Sequence, residues 1–490
     1  MNEKLHNNIN TIPNSMESQM DNGNLPSIFS SMAMAKPPLF KHQQETKEFI
    51  LKNPRVLCFS DAGTGKTRAV LEAIFERRMQ AREPKRVLVL APKSILEPAW
   101  GADIRKFTPK LKYSIAEAKN RKSAFDAPTD IVITNHDAVK WVLEHVEVLE
   151  NFDTLVIDES TVFKNPSSQR SKAIATLSKL FEYRIALTGT PAPNSILDIW
   201  NQVFIVDDGE HLGKSYYKFR AFACENTNSF GSFPKWQDKE GVRDTVSDAL
   251  NEITIRHKLE DCLDIPENFT TEIEYELDTK NRQIYDDMVR HNIVDIDLST
   301  VSAAQAGVLT MKLLQIAAGM VYDDEKGVIT VSDDRTKLIV DLIDQRKQCV
   351  VSFLWRHQRD NIIKHLTKRK ISYRVIDGSV NSRKRVSAVN EFQSGEVRVI
   401  LAHPQSAGHG LTLTNGTTTI WASPTYNSEF YEQFNRRIYR AGQKKKTETL
   451  HIMATDTIDT EVYKKLKTKQ TNMHNLLNQI KENYEIIHST

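Results

Sequence analysis

Four groups of residues in this chain have the types and spacing to handle a nucleoside triphosphate. The run Ser60-Asp61-Ala62-Gly63-Thr64-Gly65-Lys66-Thr67 follows the apolar segment Arg55–Phe59 and precedes a helical pattern from Arg68 to Arg77, the strand–loop–helix order of a phosphate-binding loop. Gly63 and Gly65 let the loop fold tightly, so that the backbone amides from Asp61 to Gly65 can approach phosphate oxygens. The helix that follows aims its positive end at the same anion. Lys66 reaches for the terminal phosphates, and the Thr67 hydroxyl suits magnesium. The strict pattern has glycine where this chain has Ser60. The second group is Asp158-Glu159, directly after an aliphatic run: Asp158 can hold the magnesium shell, and Glu159 can orient or deprotonate a water. In the third, Arg437 and Arg440 are three apart and share one helical face, suited to reach across a cleft to a γ-phosphate. An arginine supplied in this way adds about 10³–10⁵ in rate. The last is Gln43, one short helix before the loop, whose carboxamide can read both donor and acceptor on an adenine edge.

These groups need a scaffold, and the apolar runs supply one. Val87–Ala91, Ile131–Thr134, Leu155–Ile157 and Ile185–Leu187 are short, continuous and separated by helical patterns, as in a parallel sheet covered on both faces. Each ends at a polar or Gly/Pro segment, and strand carboxyl ends are where such sheets bind ligands. A second series, Val350–Phe353, Tyr373–Ile376, Val397–Leu401, Thr419–Trp421 and Leu450–Met453, predicts a second α/β lobe without a phosphate loop of its own. The expected organisation is a flexible tail over 1–36, a first lobe over 37–205, a linking region with a helical subdomain over 206–335, a second lobe over 336–460 and a C-terminal helix over 461–490. The stretch 200–330 reads as irregular, with a helical pattern at Ala303–Ala318. Phe230, Phe233 and Trp236 within it are read as packing residues.

Composition narrows the classes. The 490 residues are 40% hydrophobic and 26% charged, ordinary for a globular protein of two or three domains. A net charge of +3 allows a nucleic-acid partner without demanding one. Cys58, Cys224, Cys262 and Cys349 show no metal-ligand pairing. No apolar stretch reaches membrane-spanning length and no signal peptide opens the chain, so no membrane role is expected.

Asp158-Glu159 followed by Lys164-Asn165-Pro166-Ser167-Ser168, then Leu187-Thr-Gly-Thr-Pro-Ala-Pro-Asn194 and Gln433 through Gln443, resembles the Swi/Snf-type helicase-like ATPases of helicase superfamily two. The resemblance runs from about Leu39 to Lys465. It implies two RecA-like lobes in tandem, ATP and Mg2+ as substrate and cofactor, and a DNA-dependent ATPase that moves on duplex or branched DNA through backbone contacts. Lys93, Ser94, Lys164 and Asn165 on one lobe, with Ser406 and His409 on the other, are the expected nucleic-acid contacts. The glycine-rich element Ser406–Leu413 resembles the part that couples DNA contact to the second lobe, and its Gly410 is assigned to the nucleotide site. The expected setting is the cytoplasm of a bacterium or phage-infected cell, with the chain a monomer near replication or repair proteins. A protein-displacing motor, a motor subunit of a restriction or defence system, and a nucleotide-gated DNA clamp are the other readings. The chain departs from the family at Arg436, where aspartate is general, and at Ser160-Thr161, where Ala-His is common. The first requires different ion pairing; the second leaves open how Glu159 is linked to Thr188-Gly-Thr190.

Overall fold

The computed structural model describes residues 37–228, 234–296, 299–303, 305–407 and 410–488. The stretch 1–36, Phe230, Phe233 and His409 lie outside the described residues.

Alternation within apolar strands sets the layers. In the strand Arg86–Ala91, Val87 and Val89 join a buried cluster with Val70, Ile131 and Ile133, while Leu88 and Leu90 join another with Phe125, Val132 and Ile174. A strand that is dry on both faces belongs in the interior of a covered sheet. The result is a seven-stranded parallel sheet in the order Tyr113–Ala116, Ile131–Asn135, Arg86–Ala91, Phe152–Asp158, Tyr183–Leu187, Arg55–Cys58, Thr254–Ile255. Arg55–Cys58, Tyr183–Leu187 and Phe152–Asp158 are consecutive neighbours, so the loops leaving their carboxyl ends meet on one edge. The phosphate loop, Thr188-Gly-Thr190 and Asp158-Glu159 therefore come together.

The second lobe holds a six-stranded parallel sheet in the order Asn268–Tyr275, Thr447–Ala454, Thr418–Trp421, Cys349–Ser352, Val399–Ala402, Tyr373–Ile376. The expected strands of both series are present. Three others were not read from the sequence. Tyr113–Ala116 and Asn268–Tyr275 are edge strands, the latter largely exposed, and Thr254–Ile255 is too short to show a period. The helix Ala306–Ala317 falls within the helical pattern expected at Ala303–Ala318; the rest of the stretch, expected to be irregular, holds further helices, among them Val242–Leu250 and Thr279–His291, and, among the described residues, three two-stranded sheets. Trp236 packs under the Arg220 guanidinium, 4.2 Å from its ring centre.

The helix Ile458–His488 joins the lobes. Val462 and Leu466 are buried among second-lobe residues, whereas Met473, Leu476, Leu477 and Ile480 complete a cluster with Leu57, Phe59 and Ala186 of the first sheet. Thirty-one residues of helix span about 46 Å, enough to reach from one core to the other.

Its start is anchored by Arg335, which is 1% exposed and donates to Tyr275 Oη at 2.8 Å, to Ala422 O and Ser423 Oγ at 3.2 Å, and to the Asp459 carboxylate. Replacing one member of such a set strands the other charge away from water. Arg335→Met is expected to cost about 3–5 kcal/mol, read as a lower urea midpoint of the second-lobe transition.

Candidate active site between the lobes

The phosphate loop is held by the segment Ile255–Leu259. Ser60 Oγ accepts from His257 N at 3.0 Å, and Asp61 N donates to His257 O at 3.0 Å. The hydroxyl at the position where the strict pattern has glycine is therefore used. The Asp61 carboxylate accepts from Arg256 Nη1 at 2.7 Å and from Leu259 N at 3.0 Å, and Arg436 of the second lobe stands 3.5 Å away. Arg436 also donates to Glu260 at 2.8 Å, which is the altered ion pairing that its departure from aspartate required. Burial alone would push the Asp61 carboxyl up, but Arg256 and Arg436 outweigh it and hold the group at about 2.

Gly63 and Gly65 adopt left-handed φ of 93° and 79°, conformations that glycine takes without steric cost. A Cβ on Gly65 would lie 2.2 Å from Gln43 Nε2. Gln43 spends its carboxamide on the backbone: Nε2 donates to Thr64 O at 3.2 Å and Oε1 accepts from Phe40 N at 3.2 Å. In this arrangement it forms a wall of the loop, and its second amide hydrogen and second lone pair are the ones left for an adenine edge. The helix Lys66–Gln80 opens without a side-chain cap, leaving its first amides for an anion. Lys66 Nζ donates to Ser60 O at 2.7 Å and Asp61 O at 3.0 Å.

Glu159 has a left-handed φ of 54°, a conformation that costs a residue with a side chain about 1–2 kcal/mol. Burial raises its carboxyl pKa, while Lys66 and Arg437 from opposite lobes work against the rise. Asp158 is oriented by Trp100 Nε1, which donates to its Oδ2 at 2.9 Å from the wide helical turn Leu96–Gly101. Nothing in the sequence pattern singled out Trp100. The link from Glu159 to the Thr188 loop runs through Thr161: its Oγ1 is 2.9 Å from Thr188 Oγ1 and donates to Thr190 O at 3.1 Å. A threonine thus makes the bond that the departure at Thr161 left open.

Arg437 and Arg440 face this edge from the second lobe, but not from the shared helical face expected of them: the helix ends at Asn435, and the two lie in the turn and bend that follow, brought together by a common acceptor, Leu411 O. A Cβ on Gly63 would stand 3.5 Å from Arg440 Cβ. Both guanidinium groups donate to Leu411 O, at 3.3 and 2.8 Å, and Arg437 Nε donates to Gln433 O at 2.7 Å. Burial and the neighbouring Arg440 push the Arg437 pKa down to about 9, against the pull of Glu159. Asp103, which the sequence gave no reason to select, is pushed up to about 6 by burial although Lys106, Arg68 and Arg440 oppose it. Gln433 Nε2 lies 3.4 Å from Glu159 Oε2. Beside them is a cavity of about 20 Å³ lined by Asp61, Ala62, Glu159, Gly189, Thr190 and Gln433. Thr190 Oγ1 and Gln433 Oε1 are buried there without partners. A space above roughly 10–15 Å³ with unsatisfied polar atoms is sized for one water.

The expected nucleic-acid residues fall into two places. Gly410 abuts Ile95, whose Cγ2 would be 2.5 Å from a Cβ there, so the Ser406–Leu413 element lies against the turn carrying exposed Lys93 and half-buried Ser94. Gly410, expected at the nucleotide, is a close-packing point between the lobes, with Ile95 the one described residue that a side chain there would meet within 4 Å. Lys164 and Asn165 stand elsewhere. Lys164 Nζ is 3.7 Å from Asp198 and 4.0 Å from Glu429, and exposed Asn165 closes a turn with Ser167.

For a divalent cation, Thr67 and Asp158 offer one hydroxyl and one carboxylate. Among the described residues no group of three or more His, Cys, Asp or Glu is arranged to hold a metal. Few protein oxygens, with phosphates and waters completing the shell, is the way magnesium is usually bound, and the donors present fit it. Among the described residues no helix is long and apolar enough to cross a membrane.

Residues 42–319 match the SNF2-related domain, and residues 334–442 match the helicase conserved C-terminal domain. Protein p41 of Acyrthosiphon pisum secondary endosymbiont phage 1 is 27% identical over 439 residues, covering 86% of this chain and 93% of that protein. An uncharacterized ATP-dependent helicase of Mycoplasma genitalium is 25% identical over 425 residues, 84% of this chain and 39% of the relative. The human DNA annealing helicase and endonuclease ZRANB3 is 24% identical over 463 residues, 91% of this chain and 41% of the relative. The chain thus spans well under half the length of these two cellular relatives. A SWI2/SNF2 ATPase core of Sulfolobus solfataricus solved with double-stranded DNA is 20% identical, with a TM-score of 0.42 over 90% of this chain and 93% of that one.

The Asp61 cluster sets a pH dependence. The folded pKa of about 2 lies below the ordinary 3.8, so the stability it contributes is present above pH 3.8 and is lost as pH falls through about 2. That contribution is about 2 kcal/mol. Acid titration followed by fluorescence is expected to show a loss of stability between pH 4 and 2 that is smaller by this amount in Asp61→Asn.

Proposed function

The chain belongs to the SNF2-related family, and from that premise we propose that it is an ATP-driven motor that moves along duplex DNA and remodels branched, replication or repair DNA. The enzyme class, a helicase-type ATP hydrolase, follows from the two matched domains. One observation carries the reading: Arg437 and Arg440 stand across from the phosphate loop and Glu159, with Arg440 Cβ 3.5 Å from a Cβ placed on Gly63.

A triphosphate in the loop offers charged acceptors in place of the neutral carbonyls now taken by Lys66, Arg437 and Arg440, and charge-assisted bonds are the stronger ones. The loop amides and Lys66 bind the phosphates, and the two arginines oppose the negative charge that builds up during transfer. Glu159 accepts the proton of a water held in the cavity by Thr190 Oγ1 and Gln433 Oε1. Magnesium at Thr67 and Asp158 would supply charge neutralisation at the phosphates. Because the arginines reside on the second lobe, the set is complete only when the cleft is closed. Opening after hydrolysis alternates the grip of Lys93, Ser94, Lys164 and Asn165 on the first lobe with that of Ser406 on the second, all on backbone phosphates, which advances the chain along the duplex. The similarity to a relative named a DNA annealing helicase supports a role in remodelling DNA.

Lys66→Ala is expected to lower DNA-stimulated phosphate release about 10²–10³-fold; nucleotide binding without any release in the unaltered protein would make the chain a nucleotide-gated clamp instead. Release measured with single-stranded, duplex, forked and four-way-junction DNA tests the substrate, and equal stimulation by all of them would remove the preference for branches. Thr161→Val, which cuts the bond between the Glu159 and Thr188 loops, is expected to lower kcat about tenfold with the ATP KM nearly unchanged, the split of an interaction used after binding.

A further inference from the structure

Lys164 occupies an unusual position for a residue expected to touch DNA. Its side chain, 28% exposed, lies between two carboxylates of different lobes, 3.7 Å from Asp198 Oδ2 and 4.0 Å from Glu429 Oε2. Both distances exceed those of an N–H···O hydrogen bond, so charge attraction holds it there without a directional bond. Asp198 Oδ2 already accepts from Asn194 N and Nδ2, each at 3.0 Å. Glu429 stands in the first turn of the helix Ser428–Asn435, and its Oε1 lies 3.4 Å from Gln433 Nε2. The same Nε2 lies 3.4 Å from Glu159 Oε2. Lys164, Glu429, Gln433 and Glu159 therefore form one continuous chain of polar contacts across the cleft. The neighbouring Ser428 Oγ donates to Pro193 O at 2.6 Å, which fixes the register between the lobes at this point.

Resting on the DNA-motor reading, we infer that Lys164 has two mutually exclusive partners, the Asp198–Glu429 carboxylates of the closed cleft and a phosphate of the DNA backbone. Glu429 is the positioning residue through which the exchange reaches Gln433 and Glu159. A phosphate presents several charged oxygens to an ammonium group that is only loosely held. The groups facing Glu429 are Glu159, Asp198 and Lys164, with Lys469 near Asp198 and Lys164, where it donates to Asn194 Oδ1 and Tyr426 O. Burial and the Glu159 charge push the Glu429 carboxyl up to about 7, and Lys164 is the cation that opposes them. Once DNA draws Lys164 away, Glu429 takes a proton from solvent at neutral pH. Protonation removes the charge from the carboxylate that Gln433 Nε2 faces at 3.4 Å and so weakens that contact, leaving the same Nε2 to Glu159. DNA occupancy is thereby communicated to the residue that also contacts Glu159.

The test is binding of a fluorescein-labelled duplex, followed by anisotropy across a salt series, for the full chain and for Glu429→Gln, Asp198→Asn, Lys164→Gln and the double variant Glu429→Gln/Lys164→Gln. Freed from its carboxylate, Lys164 should tighten duplex binding about fivefold in Glu429→Gln and steepen the slope of log K against log salt by about 0.9, the contribution of one further phosphate contact. Asp198→Asn should act in the same direction, which keeps the test valid if one variant folds poorly. The double variant should bind like Lys164→Gln alone. No tightening in either carboxylate variant, or tightening that persists without Lys164, overturns the inference while leaving the motor reading in place. Failure of the unaltered chain to bind duplex at all overturns both.

Discussion

The buried carboxylate of Asp61 is the tie on which the site depends. It lies in the phosphate loop, takes Arg256 from the segment that closes the first lobe, and is approached by Arg436 from the second. A buried carboxylate with no cation beside it would be costly, and two arginines make its charged form the favoured one. The loop geometry and the approach of the lobes are consequently set by the same charge. Arg436 caps the end of the helix that carries Gln433 and is followed directly by Arg437, so satisfying Asp61 brings Gln433 to Glu159 and Arg437 within electrostatic reach of it.

Around this tie, polar atoms that would serve substrate are occupied by the protein's own backbone. Lys66 caps loop carbonyls, and Arg437 and Arg440 converge on Leu411 O. Such contacts keep buried cations satisfied yet are weaker than bonds to an anion, which makes the cleft ready for phosphate without leaving bare charge inside. The strain at Glu159 has the same character: a left-handed residue between a strand and a tight turn, retained where its carboxyl must face the opposite lobe.

The hydroxyl of Thr161 and the position of Ser60 show how departures from a family pattern are absorbed. Each replaces the expected residue with a short side chain that makes a specific bond, Thr161 to Thr188 and Ser60 to His257 N. Arg436 is the larger change, since it reverses the charge expected at its position and draws in Asp61 and Glu260.

The phosphate loop, the Asp158-Glu159 turn and ten of the thirteen described strands in the two large sheets were legible in the chain, whereas the shared helical face expected for Arg437 and Arg440 is absent, because the helix stops at Asn435. The legible features are local properties: glycine where the backbone must turn left-handed, and continuous apolar runs where both faces of a strand are dry. What tertiary structure alone decided is which distant groups share a partner. Asp61 meets Arg436 across 375 positions, Gln433 meets Glu159 across 274, and Trp100 orients Asp158 across 58. The first two arise from the relative placement of two sheets and a bridging helix, the third from the way the turn Leu96–Gly101 folds onto the first sheet. That placement depends on the summed fit of whole surfaces, which no local pattern of residues encodes.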